Sequence, residues 1–201
     1  MIKNIVFDLG NVIVRWDPQY IVSQYVQDTA LQKQLIAELF SSRHWQAYDC
    51  GAITRADLIT KVQQTFPAAH HSTIRDLVFD WHKHAPPIAG MEPLVQNLKA
   101  QGFKIYLLSN TNRHFDEYKD TIPALRHFDD YYISALRKLV KPDAAVYHDF
   151  LQLFGLTAEA CLFIDDLAAN IAGAVNIGMQ GYHFDGNASA LQKHIQKLVV
   201  V

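Results

Sequence analysis

Ile5-Val6-Phe7-Asp8-Leu9-Gly10-Asn11-Val12-Ile13 is the stretch on which the fold turns. Together with Ile2, its first three residues make a near-continuous apolar run. That is the pattern of a strand buried on both faces of a parallel sheet, where a half-exposed strand would alternate. The run stops at a carboxylate, and Gly10-Asn11 just behind it are turn residues. Ligands of open α/β sheets bind beyond the carboxyl ends of the strands, so Asp8 stands where chemistry is expected.

Working outward, Asp17-Pro18 reads as a helix start, with Asp17 as cap and Pro18 in the first helical position. Four helical patterns follow. Ile21, Val22, Tyr25 and Val26 carry the first, and Leu31, Leu35, Ile36, Leu39 and Phe40 the second. Thr54-Arg55-Ala56-Asp57, a capping box with Asp in place of Glu, opens the third ahead of Leu58, Ile59 and Val62. Leu77, Val78 and Trp81 carry the fourth. No strand pattern interrupts residues 18–85, and Pro86-Pro87 closes the block.

Beyond it the pattern alternates. A helix through Leu94, Val95 and Leu98 ends at Gly102, and a strand from Phe103 to Leu108 runs into Ser109-Asn110-Thr111-Asn112. Tyr131-Tyr132-Ile133 is a shorter strand, and Pro142 opens a helix that closes at Gly155. Leu162-Phe163-Ile164 is a strand ending in Asp165-Asp166. A helix through Ile171 and Val175 stops at Gly178, Tyr182-His183-Phe184 makes a last strand, and the tail from Ala188 is helical. Alternation of this kind implies parallel strands joined by right-handed crossovers. The expectation is an α/β core from residues 1–16 and 87–201, interrupted by four helices at 17–86.

Composition narrows the function. Half of the 201 residues are apolar and 19% are charged, the profile of an ordinary globular chain. With 18 basic and 20 acidic side chains the net charge is −2, which offers no electrostatic footprint for nucleic acid or a membrane surface. No apolar stretch approaches the ~20 residues that span a bilayer, and the N-terminus lacks the pattern of a signal peptide. Ten histidines are scattered without zinc-ligand spacing. Cys50 and Cys161 lie far apart and outside any CxxC motif, which points to a reducing, cytoplasmic setting. Cys161, beside a core strand, reads as a small buried hydrophobe.

Four polar clusters follow the strand-like runs: Asp8-x-Gly10-Asn11, Ser109-Asn110, Lys141-Pro142, and Asp165-Asp166 with Asn170. One parallel sheet brings them to a common edge. A carboxylate nucleophile, a hydroxyl beside amides, an ammonium and an acid pair suit phosphoryl transfer, which needs positioning and neutralisation of charge on the phosphoryl oxygens.

Phe-Asp-Leu-Gly-Asn-Val-Ile, Leu-Ser-Asn-Thr-Asn, Lys-Pro-Asp and Ile-Asp-Asp-x3-Asn resemble, in order and spacing, the four motifs of the haloacid dehalogenase-like (HAD) phosphatases. The resemblance covers the whole chain. It is nearest to the small bacterial branch with a DLGNVI first motif, which includes an α-D-glucose-1-phosphate phosphatase. It implies a Rossmann-like parallel-sheet core with an inserted four-helix cap. Asp8 would be the nucleophile that forms an aspartyl-phosphate, its other oxygen binding Mg2+. Gly10 would contribute its backbone carbonyl to the metal, Asp166 would ligate it, and Asp165 would serve as ligand or supporting acceptor. Ser109 and the amide of Asn110, with Gly10 and Asn11, would hold the phosphorylated substrate. Lys141 would balance charge between Asp8 and the phosphate. The implied substrate is a small soluble phosphate ester, a sugar phosphate such as glucose 1-phosphate, turned over by a monomer or weak homodimer.

Two departures from the family pattern matter. Most family phosphatases carry a second Asp where this chain has Gly10, acting as general acid and base. That help is worth ~10²–10⁴-fold. Lys138 stands where many relatives have Gly. Asp17 is open to two readings, a replacement acid or the helix cap. The stretch from Ser42 to Asp49, a loop or helix end, either faces substrate or packs Trp45 and Tyr48 into the insertion. Asn170 is a motif residue or a plain helix-surface one. The reading favoured is an Mg2+-dependent phosphomonoester hydrolase. Its competitors are a metal-independent 2-haloacid dehalogenase, a catalytically weak phospholigand-binding protein and a phosphomutase.

Overall fold

The computed structural model describes residues 1–199; the last two residues of the expected core span lie outside them. Five strands, β1 (Asn4–Phe7), β2 (Lys104–Ser109), β3 (Asp130–Ile133), β4 (Cys161–Asp165) and β5 (Gln180–His183), form one parallel sheet in the order β3-β2-β1-β4-β5. The first strand is thus central, flanked by β2 on one side and β4 on the other. Phe7 pairs with both Leu107 and Ile164, so the tips of all three strands end side by side. The chain builds outward from β1 in opposite directions, which makes its carboxyl end the switch point where a crevice opens.

The apolar run is continuous because both faces of the sheet are covered. Ile5, Phe7, Ile105, Leu107, Leu162 and Ile164 face one core, and Val6, Tyr106, Leu108 and Phe163 face the other. Each strand divides its side chains between the two by the period of two.

The helices are α1 (Pro18–Ser23), α2 (Thr29–Leu35), α3 (Arg43–Asp49), α4 (Arg55–Gln63), α5 (His71–Asp80), α6 (Met91–Ala100), α7 (Ser134–Arg137), α8 (Ala144–Phe154), α9 (Ala168–Asn176) and α10 (Ala188–Val199). Helices α6 and α10 contribute to the first core, and α8 and α9 to the second. The insertion is wholly helical as expected, and Thr54 and Asp57 form the reciprocal capping box. Its two connections to the sheet run together: Arg15 N–H donates to the Pro86 carbonyl at 2.8 Å and Ile88 N–H to that of Ile13 at 2.9 Å.

Two expectations need correction. The insertion holds five α-helices rather than four, because Arg43–Asp49 is helical. Ser42 caps it by accepting from the Trp45 N–H, and Trp45 and Tyr48, one turn apart, supply its buried face. The helix after Lys141-Pro142 opens at Ala144, since Asp143 at its cap is extended, which leaves Pro142 with the site loop. Of the two readings of Asn170, burial excludes the helix-surface one.

Lys138, where the resemblance expects Gly, has φ 58°. That left-handed conformation costs a non-glycine residue ~1–2 kcal/mol and explains why glycine suits the position. Gly173 is demanded by close approach instead. A Cβ there would lie 2.6 Å from the Pro142 carbonyl oxygen and 2.9 Å from the Tyr147 ring, so α9 presses against both the site loop and α8. Gly173→Ala is expected to lower stability by ~1–3 kcal/mol through overpacking. Urea unfolding checks it, and an unchanged midpoint would mean that the loop yields freely.

Candidate active site

The strand order delivers each motif to one place. Asp8 follows the tip of β1, held there by its own N–H donating to the Ile164 carbonyl at 2.9 Å. Ser109 ends β2 and Asp165 ends β4. Lys141 reaches in from the loop before α8. Its Nζ donates to Asp8 Oδ1 at 2.8 Å and to Asp165 Oδ2 at 2.7 Å, with the lysine side chain 1% exposed.

Every polar neighbour of this ion triad orients it. Asp165 accepts from Asn170 Nδ2 at 3.0 Å on both oxygens and from the Leu167 N–H at 2.8 Å, so its carboxylate is saturated. The Asn110 side chain clamps the backbone of Lys141, donating to its carbonyl at 3.0 Å and accepting from its N–H at 2.9 Å. Asn11, with φ 53°, accepts from the Trp16 N–H and donates to Asp166 Oδ2, both at 3.0 Å. Asn tolerates this left-handed turn because its short polar side chain bonds locally. Among the described residues no fully buried side-chain N or O lacks a partner.

Burial raises the Asp8 carboxyl from its ordinary 3.8 to about 6, the Lys141 ammonium opposing and Asp165 adding to the rise. Burial works against the charge on Lys141 too, but Asp8 and Asp165 outweigh it and lift its pKa. Asp166 is also raised, chiefly by burial, against the hydrogen bond from Asn11. Carboxylate oxygens of Asp8, Asp165 and Asp166 lie within 4.8 Å of one another. Three acids around a single ammonium form a site short of positive charge.

These groups floor a cavity of about 290 Å3. Asp8, Gly10, Asn11, Ser109, Asn110, Lys141, Asp166 and Asn170 all line it, while Asp165 sits behind them. Asp17 is not among the lining residues; it caps α1 through the Tyr20 N–H and pairs with Arg15. Gly10 has room for a side chain, since a Cβ there would meet only Trp16 Cβ at an ordinary 3.5 Å.

Sequence reasoning finds only part of the remaining wall, in the alternative that residues 42–49 face substrate; it does not single out Trp16, Phe40 and Trp81 for it. Trp16, Phe40, Trp45 and Trp81 face the cavity as one aromatic cluster, with ring centroids 4.7 Å apart for Phe40–Trp45 and 5.0 Å for Trp16–Trp81. Trp45 therefore both packs the insertion and faces the cavity. Asp49, at the end of α3, lines the cavity as well. Burial pushes its carboxyl well above the ordinary range despite hydrogen bonding from Asn112 and Trp45. Its signal in the sequence is its place at the end of the 42–49 stretch, one of whose two readings is that it faces substrate.

The rise at Asp8 has a sign that can be measured in metal-free protein. Stability carried by the neutral acid is complete below pH 3.8 and is lost as the pH rises through about 6. Asp8→Asn is uncharged throughout, so in chelator it should melt above the parent at pH 8, and the gap should close as the pH falls toward 4. Thermal melts across that range check it, and a gap independent of pH contradicts the assignment.

Comparison with known proteins agrees with this geometry. A sesquiterpene phosphatase of Aspergillus oryzae is 26% identical over 185 residues, covering 90% of this chain and 89% of that protein. A flavin mononucleotide hydrolase of Arabidopsis thaliana is 26% identical over 198 residues, covering 96% and 76%. A HAD family enzyme of Bacteroides thetaiotaomicron, solved with magnesium and inorganic phosphate, superposes with a TM-score of 0.75 at 22% identity, covering 95% of this chain and 99% of its own. Residues 2–178 match the family model described as haloacid dehalogenase-like hydrolase, and the chain belongs to that family of enzymes.

Proposed function

We propose that the chain is an Mg2+-dependent phosphomonoester hydrolase working through an aspartyl-phosphate on Asp8. The observation that carries this reading is the charge imbalance at the sheet edge, three acids sharing one ammonium. A hard divalent cation suits such oxygen donors. Asp8, Asp166 and the Gly10 carbonyl would hold it. The saturated carboxylate of Asp165 fits better as the group that fixes Lys141 than as a ligand. Bound there, Mg2+ would supply charge neutralisation at the phosphoryl oxygens.

In the first step an Asp8 oxygen bonds to phosphorus as the ester P–O bond breaks. In the second, water attacks phosphorus, inorganic phosphate leaves and the Asp8 carboxylate is restored. Lys141 offsets the charge gathered between Asp8 and the phosphoryl group. Ser109 and the Asn110 backbone N–H take the phosphoryl oxygens, because the Asn110 side chain is committed to Lys141. The insertion, residues 17–86, acts as a cap that holds the leaving group and excludes water. With no acid at Gly10, good leaving groups should turn over fastest.

The substrate is a small phosphate ester. A sugar phosphate, the expectation from the sequence, has apolar C–H faces that can lie on aromatic rings. The names of the two relatives, a sesquiterpene phosphatase and a flavin mononucleotide hydrolase, add apolar and flat leaving groups to the field. A catalytically weak phospholigand-binding protein is the second reading, favoured by the missing acid. Phosphate release from p-nitrophenyl phosphate, glucose 1-phosphate and flavin mononucleotide, with and without Mg2+, tests both. Release should require Mg2+ and fall by at least ~10³-fold in Asp8→Asn. Equal rates in parent and variant would remove Asp8 from the mechanism, and no release from any ester favours the binding protein.

A further inference from the structure

The cavity has two chemically different ends. Its floor is ionic, and of the titratable side chains lining it, Asp8, Lys141 and Asp166 belong to the phosphoryl site. Asp49 is the remaining one. Lys141, the one cation among the lining residues, is held between Asp8 and Asp165 at the sheet edge, whereas Asp49 enters from the insertion at the end of α3. Asp49 therefore belongs to the wall that the insertion supplies, beside the aromatic cluster. Its surroundings are the Trp45 indole, the Asn112 amide and the aromatic wall.

Its position is set from the core and not by the insertion alone. The buried Ser134 hydroxyl donates to the Asp49 carbonyl at 2.6 Å while accepting from the Thr111 N–H at 2.9 Å. Two residues later the chain is pressed so tightly on α7 that a Cβ on Gly51 would lie 2.2 Å from the Ala135 carbonyl oxygen. Arg55 adds a tie, donating to Glu117 at 2.7 Å and to the Tyr48 hydroxyl at 3.3 Å. A carboxyl on backbone anchored this firmly, part-exposed to a cavity and without a counter-cation, is a ready hydrogen-bonding group for something that enters.

We propose that Asp49 is the specificity residue of this pocket, hydrogen-bonding an uncharged hydroxyl at the far end of a phosphomonoester whose body lies against Trp16, Phe40, Trp45 and Trp81. The inference rests on the phosphatase reading and adds the class of leaving group. The Asp49 carboxyl lines the cavity while the one lining cation, Lys141, is committed to Asp8 and Asp165, and burial raises its pKa and so works against a bare charge there; a hydroxyl that enters can donate to it. A site built to bond a hydroxyl rejects the analogue that lacks it, because its own polar group is then left unpaired. At about 290 Å3 the cavity holds roughly ten water-sized groups, which calls for a short body.

The test uses ω-hydroxyalkyl phosphonates of three to six carbons beside the alkyl phosphonates of the same lengths, with binding measured by calorimetry in Mg2+. At the length that spans the cavity, the hydroxylated member should bind the parent about five- to tenfold more tightly, the worth of one neutral hydrogen bond. Asp49→Leu should bring that ratio near one, Asp49→Asn should keep most of it, and both should bind inorganic phosphate like the parent. An infrared difference spectrum gives a readout independent of the leucine variant's folding. The carboxyl band assigned to Asp49 by its loss in Asp49→Asn should shift with the hydroxylated ligand only. A ratio of one at every length, an unchanged ratio in Asp49→Leu, or a band that ignores the hydroxyl overturns the proposal. Phosphonates are not hydrolysed, so this outcome is separate from that of the hydrolase reading, which is read from phosphate release by the matching esters.

Discussion

The ammonium of Lys141, 2.8 Å from Asp8 and 2.7 Å from Asp165 and almost wholly removed from solvent, sets the terms for its surroundings. Burying three charges is costly, and losing the one ammonium would leave two buried carboxylates uncompensated at ~3–5 kcal/mol. The fold answers by fixing every neighbour. Asn110 grips the lysine backbone, Asn170 and the Leu167 N–H fill the Asp165 carboxylate, and Gly173 lets α9 press against the carbonyl of Pro142. What the arrangement does not relieve is the burial of the acids, visible as the upward displacement of Asp8 and Asp166, to which the charge on Asp165 adds. Sites that sacrifice stability for chemistry carry this signature.

Much of this was legible in the sequence because parallel strands advertise themselves. Ile5-Val6-Phe7 and Leu162-Phe163-Ile164 are apolar on both faces, since each face meets a core, and each run ends where a motif acid begins. Spacing then brings Asp8, Ser109 and Asp165 to one edge, and the order of the four motifs carried the family. Helix α3 was missed because its apolar face is only Trp45 and Tyr48, too little for periodicity to register, and its cap Ser42 looks like any loop serine.

Other features are tertiary and leave no local trace. That the Asn110 side chain serves the backbone of Lys141, 31 positions away, follows from the loop's path and not from either motif. Asn170 belongs to the fourth motif in sequence, but that it donates to both oxygens of Asp165 shows only once α9 is in place. The aromatic wall draws on Trp16 before α1, Phe40 and Trp45 on either side of Ser42, and Trp81 beyond α5, which only the packed insertion assembles. In the proposed mechanism, charge for the phosphoryl group would come from the sheet, and selection of what departs from the insertion, on a surface that the four motifs do not include.

The central claim is that Asp8 and Asp166, separated by the whole length of the core, share one divalent ion beside Lys141. Crystals grown with Mn2+ in place of Mg2+ and measured at the manganese absorption edge address it directly. The account predicts an anomalous peak within about 2.5 Å of a carboxylate oxygen from each of the two residues. A peak at any other position, or none at saturating Mn2+, would contradict it.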